Sequence, residues 1–357
     1  MRAVTIAIVF VVVVSGAIVP SGCNRGPSSD VRLQGAGATF PNPLYQRWMT
    51  DYQKSHPETK LDYQSVGSGG GIKGISEKTV DFAGSDAPMN DKEKQAAGAP
   101  VVHLPTCAGA VVLAYNLPGL SGDLRLTGPL VADIYMGKIT RWNDPKLAAV
   151  NPGLNLPDAS ITTAYRTDGS GTSFVFTNYL ATQSDEFTRT IGSGKQVTWP
   201  GGQGGKGNEG VTAVVQQTRG AIGYIELNYA TANKIPFALL QNKDGNFVKA
   251  STQSVSAAGE GALGKMEKSL AVDIWNQPGP NAYPIASFTY MIVYKDLGYL
   301  KSEARARALV QFLRWATGPD GQKVAPELDY APLSAGVQDK VKQAIATLTW
   351  NGKPLAQ

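Results

Sequence analysis

The chain has 357 residues, of which 42% are hydrophobic and only 17% charged, with a formal net charge of +5. At roughly 150 residues per domain this length holds about two domains with buried cores, and the composition excludes a disordered, highly charged nucleic-acid tail protein. Two histidines argue against a histidine-built metal centre, and two cysteines exclude a disulfide framework. Glycine is enriched, at 40 residues, but it is scattered without a period, which excludes a collagen-like repeat. The small basic surplus fits an anionic ligand or surface and demands neither.

Arg2 precedes an apolar run from Ala3 to Val19, followed by Pro20-Ser21-Gly22-Cys23. A positive start, an apolar stretch and small residues before a break describe a secretory signal peptide over residues 1–22. Cys23 after Ser21-Gly22 resembles the lipobox of bacterial lipoproteins, with Pro20 where leucine is usual. The expectation is a lipidated Cys23, with ordinary cleavage or an uncleaved anchor as the alternatives. Residues 23–30 then have the composition of a tether. Cys107 is the other thiol, and its apolar surroundings, Leu104 to Val112, suggest a buried strand residue.

From Val31 onward, strand patterns alternate with helical ones. Leu44, Trp48 and Tyr52 place an apolar face on a helix that runs to about Lys54 and stops before Pro57. Leu61–Val66 and Val80–Ala83 read as strands, with a helix from Ile72 to Lys78 between them. Val111–Tyr115 and Tyr290–Tyr294 are strong strand candidates, and helices are expected at Ser302–Thr317 and Val337–Leu348. The glycine-rich stretch Pro200–Gly210 reads as a loop. This alternation predicts an α/β fold, with two sheets.

Three glycine-rich turns each open a helix: Gly35-Ala36-Gly37-Ala38-Thr39-Phe40-Pro41, Gly67-Ser68-Gly69-Gly70-Gly71 and Asp168-Gly169-Ser170-Gly171-Thr172. Glycine lets backbone N–H groups approach a ligand, and the positive end of a helix favours an anion. One such turn is ordinary capping. Three together raise the expectation of an anion site.

Nucleotide and hydrolase patterns fit worse. Phe40 interrupts G-x-G-x-x-G, Pro200 and Gly207 interrupt a P-loop around Lys206, and Val66 and Asp168 interrupt G-x-S-x-G. His56 reads as a solvated helix-end residue and His103 as a strand-edge residue. Arg166 ends the strand-like run Ile161–Tyr165, and its planar donor fork suits an oxyanion, with Asp168 placed to hold it. Asp86 follows Phe82-Ala83-Gly84-Ser85 at a strand end, where α/β sheets place ligand residues. A carboxylate beside an anion is favourable only when that anion carries a proton. Phosphate does at neutral pH and sulfate does not. Two unprotonated acceptors buried face to face cost several kcal/mol.

These segments, with Val80–Pro88, Arg166–Phe174, Asp133-Ile134-Tyr135-Met136-Gly137-Lys138-Ile139 and Gly220-Ala221-Ile222-Gly223-Tyr224, resemble the periplasmic phosphate-binding proteins of phosphate-specific ABC transporters. The resemblance runs from about Leu33 to the C-terminus. It implies a two-lobe α/β periplasmic-binding-protein fold of type II, with two chain crossings forming a hinge near Ala110–Tyr115 and Ala282–Ser287. Lobe 1 would combine 31–112 with 284–357, and lobe 2 would be 113–283.

Residue by residue, the resemblance implies that Thr39 and Phe40 offer N–H groups and a hydroxyl, with the Ala38 backbone beside them. Ser68 would offer a hydroxyl and an N–H, and Asp86 would accept the phosphate proton. Arg166 would supply the positive charge, oriented by Asp168, and Ser170, Gly171 and Thr172 would complete the cradle. The implied protein is a monomer anchored to the membrane only by lipid. It would pass inorganic phosphate to ABC permease subunits, with no cofactor, metal, nucleic acid or catalysis. The alternatives are another tetrahedral oxyanion or a secreted phosphomonoesterase.

Overall fold

The computed structural model describes residues 30–355, and its first three strands are β1 (Val31–Gly37), β2 (Thr59–Ser65) and β3 (Phe82–Ser85). β1 lies between the other two and is parallel to both. Further along come β4 (Val101–Tyr115), β5 (Arg125–Leu126), β6 (Thr162–Arg166), β7 (Gln203–Gly205) and β8 (Ala221–Glu226). The last three strands used here are β9 (Leu239–Gln241), β10 (Phe247–Val248) and β11 (Ala286–Tyr294). Eight of these strands make one sheet in the order β2-β1-β3-β11-β4-β8-β6-β7, while β10-β9-β5 form a small separate one.

The expected pair of main sheets is therefore a single one, and β4 is the reason. Its 15 residues, nearly all buried, are too long to belong to one half. Val101–Ala110 pairs antiparallel with β11, whereas Val111–Tyr115 pairs antiparallel with β8. Beside that switch, the Val111 N–H donates to the Ile285 carbonyl at 2.9 Å, so two passages of the chain run side by side between the halves. The β4–β11 register shifts at Thr289/Tyr290, opposite Pro105 to Cys107. A bulge there accommodates a proline within a strand.

The helices follow the patterns that announced them. α1 (Asn42–Ser55) buries Leu44, Tyr45, Trp48, Met49 and Tyr52 on one face, with Pro43 in its first turn and basic Lys54 in its last. α2 (Ser68–Ser76) begins four residues earlier than its apolar pattern, because Gly67, at φ 85°, turns the chain directly into it. α3 (Asp91–Ala97) carries a capping box between Asn90 and Glu93. α4 (Gly128–Tyr135) and α5 (Pro145–Val150) precede β6; α6 (Gly171–Gln183), α7 (Asp185–Thr190) and α8 (Gly207–Gln217) follow it. The stretch expected to be a loop, Pro200–Gly210, thus contributes a short edge strand and the start of α8. The helix over Glu303–Thr317 is capped by Ser302 and buries Leu309, Phe312 and Leu313, as its spacing predicts.

Parallel strands β1 and β3 in one half and β6 in the other end towards the same place. The carboxyl ends of such strands are where α/β sheets bind ligands. Cys107 is buried within β4 with a free thiol, as expected for a small hydrophobe. The expected leader and Cys23 lie outside the described residues. Among the described residues, no helix is long and apolar enough to cross a membrane.

Candidate functional site

The first glycine-rich turn meets the cleft with its N–H groups because its carbonyls are already taken. Tyr63 Oη donates to the Ala38 carbonyl at 2.9 Å, Tyr229 Oη to that of Thr39 at 2.6 Å, and Tyr330 Oη to that of Phe40 at 2.6 Å. Burial holds all three phenols well above their usual pKa, so they remain donors. The Ala38 N–H is also used, by the Gly84 carbonyl at 2.8 Å. Ala38 therefore has no backbone group left for a ligand, and the N–H groups of Thr39 and Phe40 carry the turn's donor capacity.

The second and third turns open α2 and α6. Gly67 precedes α2 without any side-chain cap, leaving the first-turn N–H groups of α2 without intrahelical partners. Its neighbour Gly69 donates its N–H across the cleft to the Gly169 carbonyl at 2.7 Å. In the third turn, Ser170 Oγ accepts the Ser173 N–H at 3.0 Å, and the Ser170 N–H is spent on the Lys195 carbonyl at 2.8 Å. Gly171 and Thr172, the first residues of α6, keep theirs. The Lys195 side chain reaches across to Glu93 of α3, pairing the two halves by charge above the cradle.

Arg166 is buried at the end of β6, and its guanidinium is shared among partners. Nε and Nη2 donate to the Asp168 carboxylate at 2.8 and 2.6 Å, and Nη1 donates to Thr172 Oγ1 at 3.2 Å. Five N–H donors minus these three leave two for a ligand. Burial raises the Asp168 carboxyl, but the hydrogen bonds and charge of Arg166, helped by the Gly207 N–H, hold it below the ordinary value. It stays charged, and it keeps Arg166 in place.

Asp86 is the acceptor of the site. Thr289 Oγ1 donates to its Oδ1 at 2.7 Å, and its backbone N–H donates to Ser68 Oγ at 3.2 Å. Burial pushes its carboxyl up to about 7, against the opposing pull of Thr289, Arg166 and Ser68. Its other oxygen, Oδ2, lies beside Ser68 Oγ and Gly171. A methyl group built on Gly171 would lie 2.4 Å from both Asp86 Oδ2 and Ser68 Oγ. Gly171→Ala is therefore expected to weaken anion binding about hundredfold, or ~2.7 kcal/mol. Its ligand-free form would have to move Asp86 and Ser68 away from the added methyl, so its melting point should fall as well. Calorimetry and thermal melting check both parts, and tight binding by this variant would remove Gly171 from the cradle.

The structure thus gathers Thr39, Phe40, Ser68, Asp86, Arg166, Ser170, Gly171 and Thr172 around one point, with Asp168 behind Arg166. Asn208, Thr289, the clamping tyrosines and Glu226 escape a reading of the sequence. Asn208, in the first turn of α8, donates Nδ2 to Thr39 Oγ1 at 2.8 Å and to Thr172 Oγ1 at 3.2 Å. Its signal was present as Gly205-Lys206-Gly207-Asn208, a fourth glycine turn opening a helix. Thr289 and the clamping tyrosines carry no comparable local signal. Glu226, buried at the end of β8, accepts the Asn228 N–H at 2.9 Å through Oε2, while its Oε1 has no partner; burial raises its pKa well above the ordinary value. Neither histidine joins the site. His56 stacks on Tyr52 at the end of α1, and His103 Nε2 accepts the Met89 N–H at 3.0 Å.

A profile of the PBP superfamily domain matches residues 24–320. A phosphate-binding protein PstS from Xylella fastidiosa is 43% identical over 316 residues, covering 88% of this chain and 85% of the relative. One from Pasteurella multocida is 42% identical over 311 residues, covering 87% and 88%. A crystal structure of a phosphate-binding protein from Stenotrophomonas maltophilia shares the fold with a TM-score of 0.66. It is 20% identical, with 88% of this chain and 93% of that one covered. The architecture is the two-lobe type II periplasmic binding fold, and the chain belongs to the PBP superfamily, in the family of the PstS phosphate-binding proteins.

Proposed function

We propose that this protein captures inorganic phosphate outside the cytoplasmic membrane and hands it to the permease subunits of an ABC transporter. The observation that carries this reading is the balance of the cradle: many donors and one acceptor. Thr39 and Thr172 each accept two hydrogen bonds from protein N–H groups, which leaves their hydroxyl hydrogens to be donated, and Ser68 and Ser170 accept one each. Arg166 and the N–H groups of Thr39, Phe40, Gly171 and Thr172 add to them. Only Asp86 Oδ2 accepts. A tetrahedral anion with one proton satisfies every group at once.

The residue roles follow from this balance, with Asp168 orienting Arg166. Residues 31–112 with 284–357 would move as one lobe and 113–283 as the other, hinged where β4 and β11 meet. Residues 1–22 would direct export, and Cys23 would carry a lipid that holds a monomer at the envelope through the tether. The protein would bind and release phosphate without transforming it.

The test is calorimetry on protein stripped of phosphate, with phosphate, sulfate and p-nitrophenyl phosphate as titrants. At pH 8 or above, micromolar or tighter phosphate binding, about 8 kcal/mol or more, with much weaker sulfate binding and no p-nitrophenol released, is the expected result. Equal binding of phosphate and sulfate would sink the assignment.

A further inference from the structure

Asn208 occupies a place in the site that neither glycine turns nor charge explain. It sits on α8 and reaches Thr39, on the far side of the cleft, and Thr172, on the near side. It is fully buried. An amide of this kind can face either way round, and its surroundings decide which. Here the Glu226 N–H donates to Asn208 Oδ1 at 2.9 Å. The reversed amide would aim its NH₂ at that N–H, so Nδ2 must face the two hydroxyls.

The consequence for those hydroxyls is a matter of counting. A hydroxyl oxygen has two lone pairs and one hydrogen. Thr39 Oγ1 accepts the Asn208 backbone N–H at 3.1 Å and Nδ2 at 2.8 Å. Thr172 Oγ1 accepts Asn208 Nδ2 and Arg166 Nη1, each at 3.2 Å. Both lone pairs are filled on each oxygen. The single capacity left to either threonine is to donate.

We propose that Asn208 is a positioning residue that sets the polarity of the cradle: anchored by the Glu226 N–H, its amide compels Thr39 and Thr172 to donate to the anion from opposite sides of the cleft. The proposal rests on the phosphate-site reading and deepens it. Without Asn208, each hydroxyl regains the choice of turning a lone pair towards the anion, and that orientation repels it. The same amide joins the two halves, so its loss falls on the closed, ligand-holding arrangement.

A positioning residue acts through its partners, so a double-mutant cycle on phosphate affinity is the test. Asn208→Leu keeps the approximate shape and removes the amide. Thr39→Val together with Thr172→Val removes the hydroxyls and keeps their volume. Phosphate is titrated into wild type, Asn208→Leu, the double valine variant and the triple variant, with melting curves for each. The expected result is a loss of tenfold or more for Asn208→Leu in the wild-type background and less than twofold in the valine background. An equal loss in both backgrounds would show that Asn208 merely supports the structure, and would overturn the proposal. Should Asn208→Leu fail to fold, Asn208→Ala in the same two backgrounds gives the same comparison. The valine pair alone separates the two levels. If it binds phosphate as tightly as wild type, the two hydroxyls do not contact the ligand and the inference falls while phosphate binding stands; if wild type itself binds no phosphate, the site reading falls first.

Discussion

Arg166→Ala is expected to lower phosphate affinity by two to four orders of magnitude. The loss has two parts. The anion loses its only guanidinium, and Asp168, half-buried beside it, loses both guanidinium bonds while keeping the Gly207 N–H at 3.0 Å. Stranding one member of a fully buried pair costs about 3–5 kcal/mol, which is the upper bound for the partly solvated Asp168. Here the stranded charge also repels the ligand. Arg166→Lys should fall in between: it keeps the charge, but a single ammonium cannot serve both Asp168 oxygens, Thr172 and the anion together. Arg166→Ala combined with Asp168→Asn should recover part of the loss, because the repelling carboxylate is gone. Calorimetry across the four proteins reads this order. A lysine variant as tight as wild type would mean that the planar fork is not used.

The second large effect concerns Asp86 and has a definite sign with pH. Its carboxyl lies at about 7 in the ligand-free structure, chiefly through burial, and near 3.9 in an unfolded chain. A group with a raised folded pKa contributes its stability fully below the unfolded value and loses it as pH rises through the folded one. Ligand-free wild type should therefore melt lower at pH 8 than Asp86→Asn, with the gap narrowing as pH falls and closing only below about pH 4. Sulfate has no proton to offer, so its binding needs a protonated Asp86. Its affinity for wild type should fall about tenfold per unit above pH 7 and level off below it. Asp86→Asn offers an amide donor instead, and its sulfate affinity should be flat with pH. Phosphate should bind that variant about tenfold to hundredfold more weakly, since its proton loses a buried acceptor. A pH-independent sulfate affinity in wild type would remove Asp86 from the role of proton acceptor.

These expectations start from residues that could be read directly from the chain. Arg166 and Asp168 are two positions apart, and their 2.6 Å contact needs only a turn. The glycine turns likewise declare themselves, because glycine, a hydroxyl and a following helical pattern are neighbours in sequence. The apolar faces of α1 and of Glu303–Thr317 were legible for the same reason. The continuity of the sheet was not, since nothing local tells an apolar run that half of it will pair with β11 and half with β8.

The amino-acid sequence by itself determined the donors of this protein: which backbone turns open towards a ligand, which hydroxyls stand at helix starts, and where the buried cation sits. Only the tertiary structure decided their polarity. The Thr39 carbonyl is covered by a tyrosine 190 positions away and the Phe40 carbonyl by one 290 away. Thr39 Oγ1 is filled by an amide at a separation of 169, and Asp86 is steadied by a threonine at 203. A hydroxyl or a carbonyl can accept from any direction that its neighbours leave open. Which direction remains depends on groups that the fold brings from elsewhere, and so the selectivity of the cradle is a property of packing rather than of any one segment.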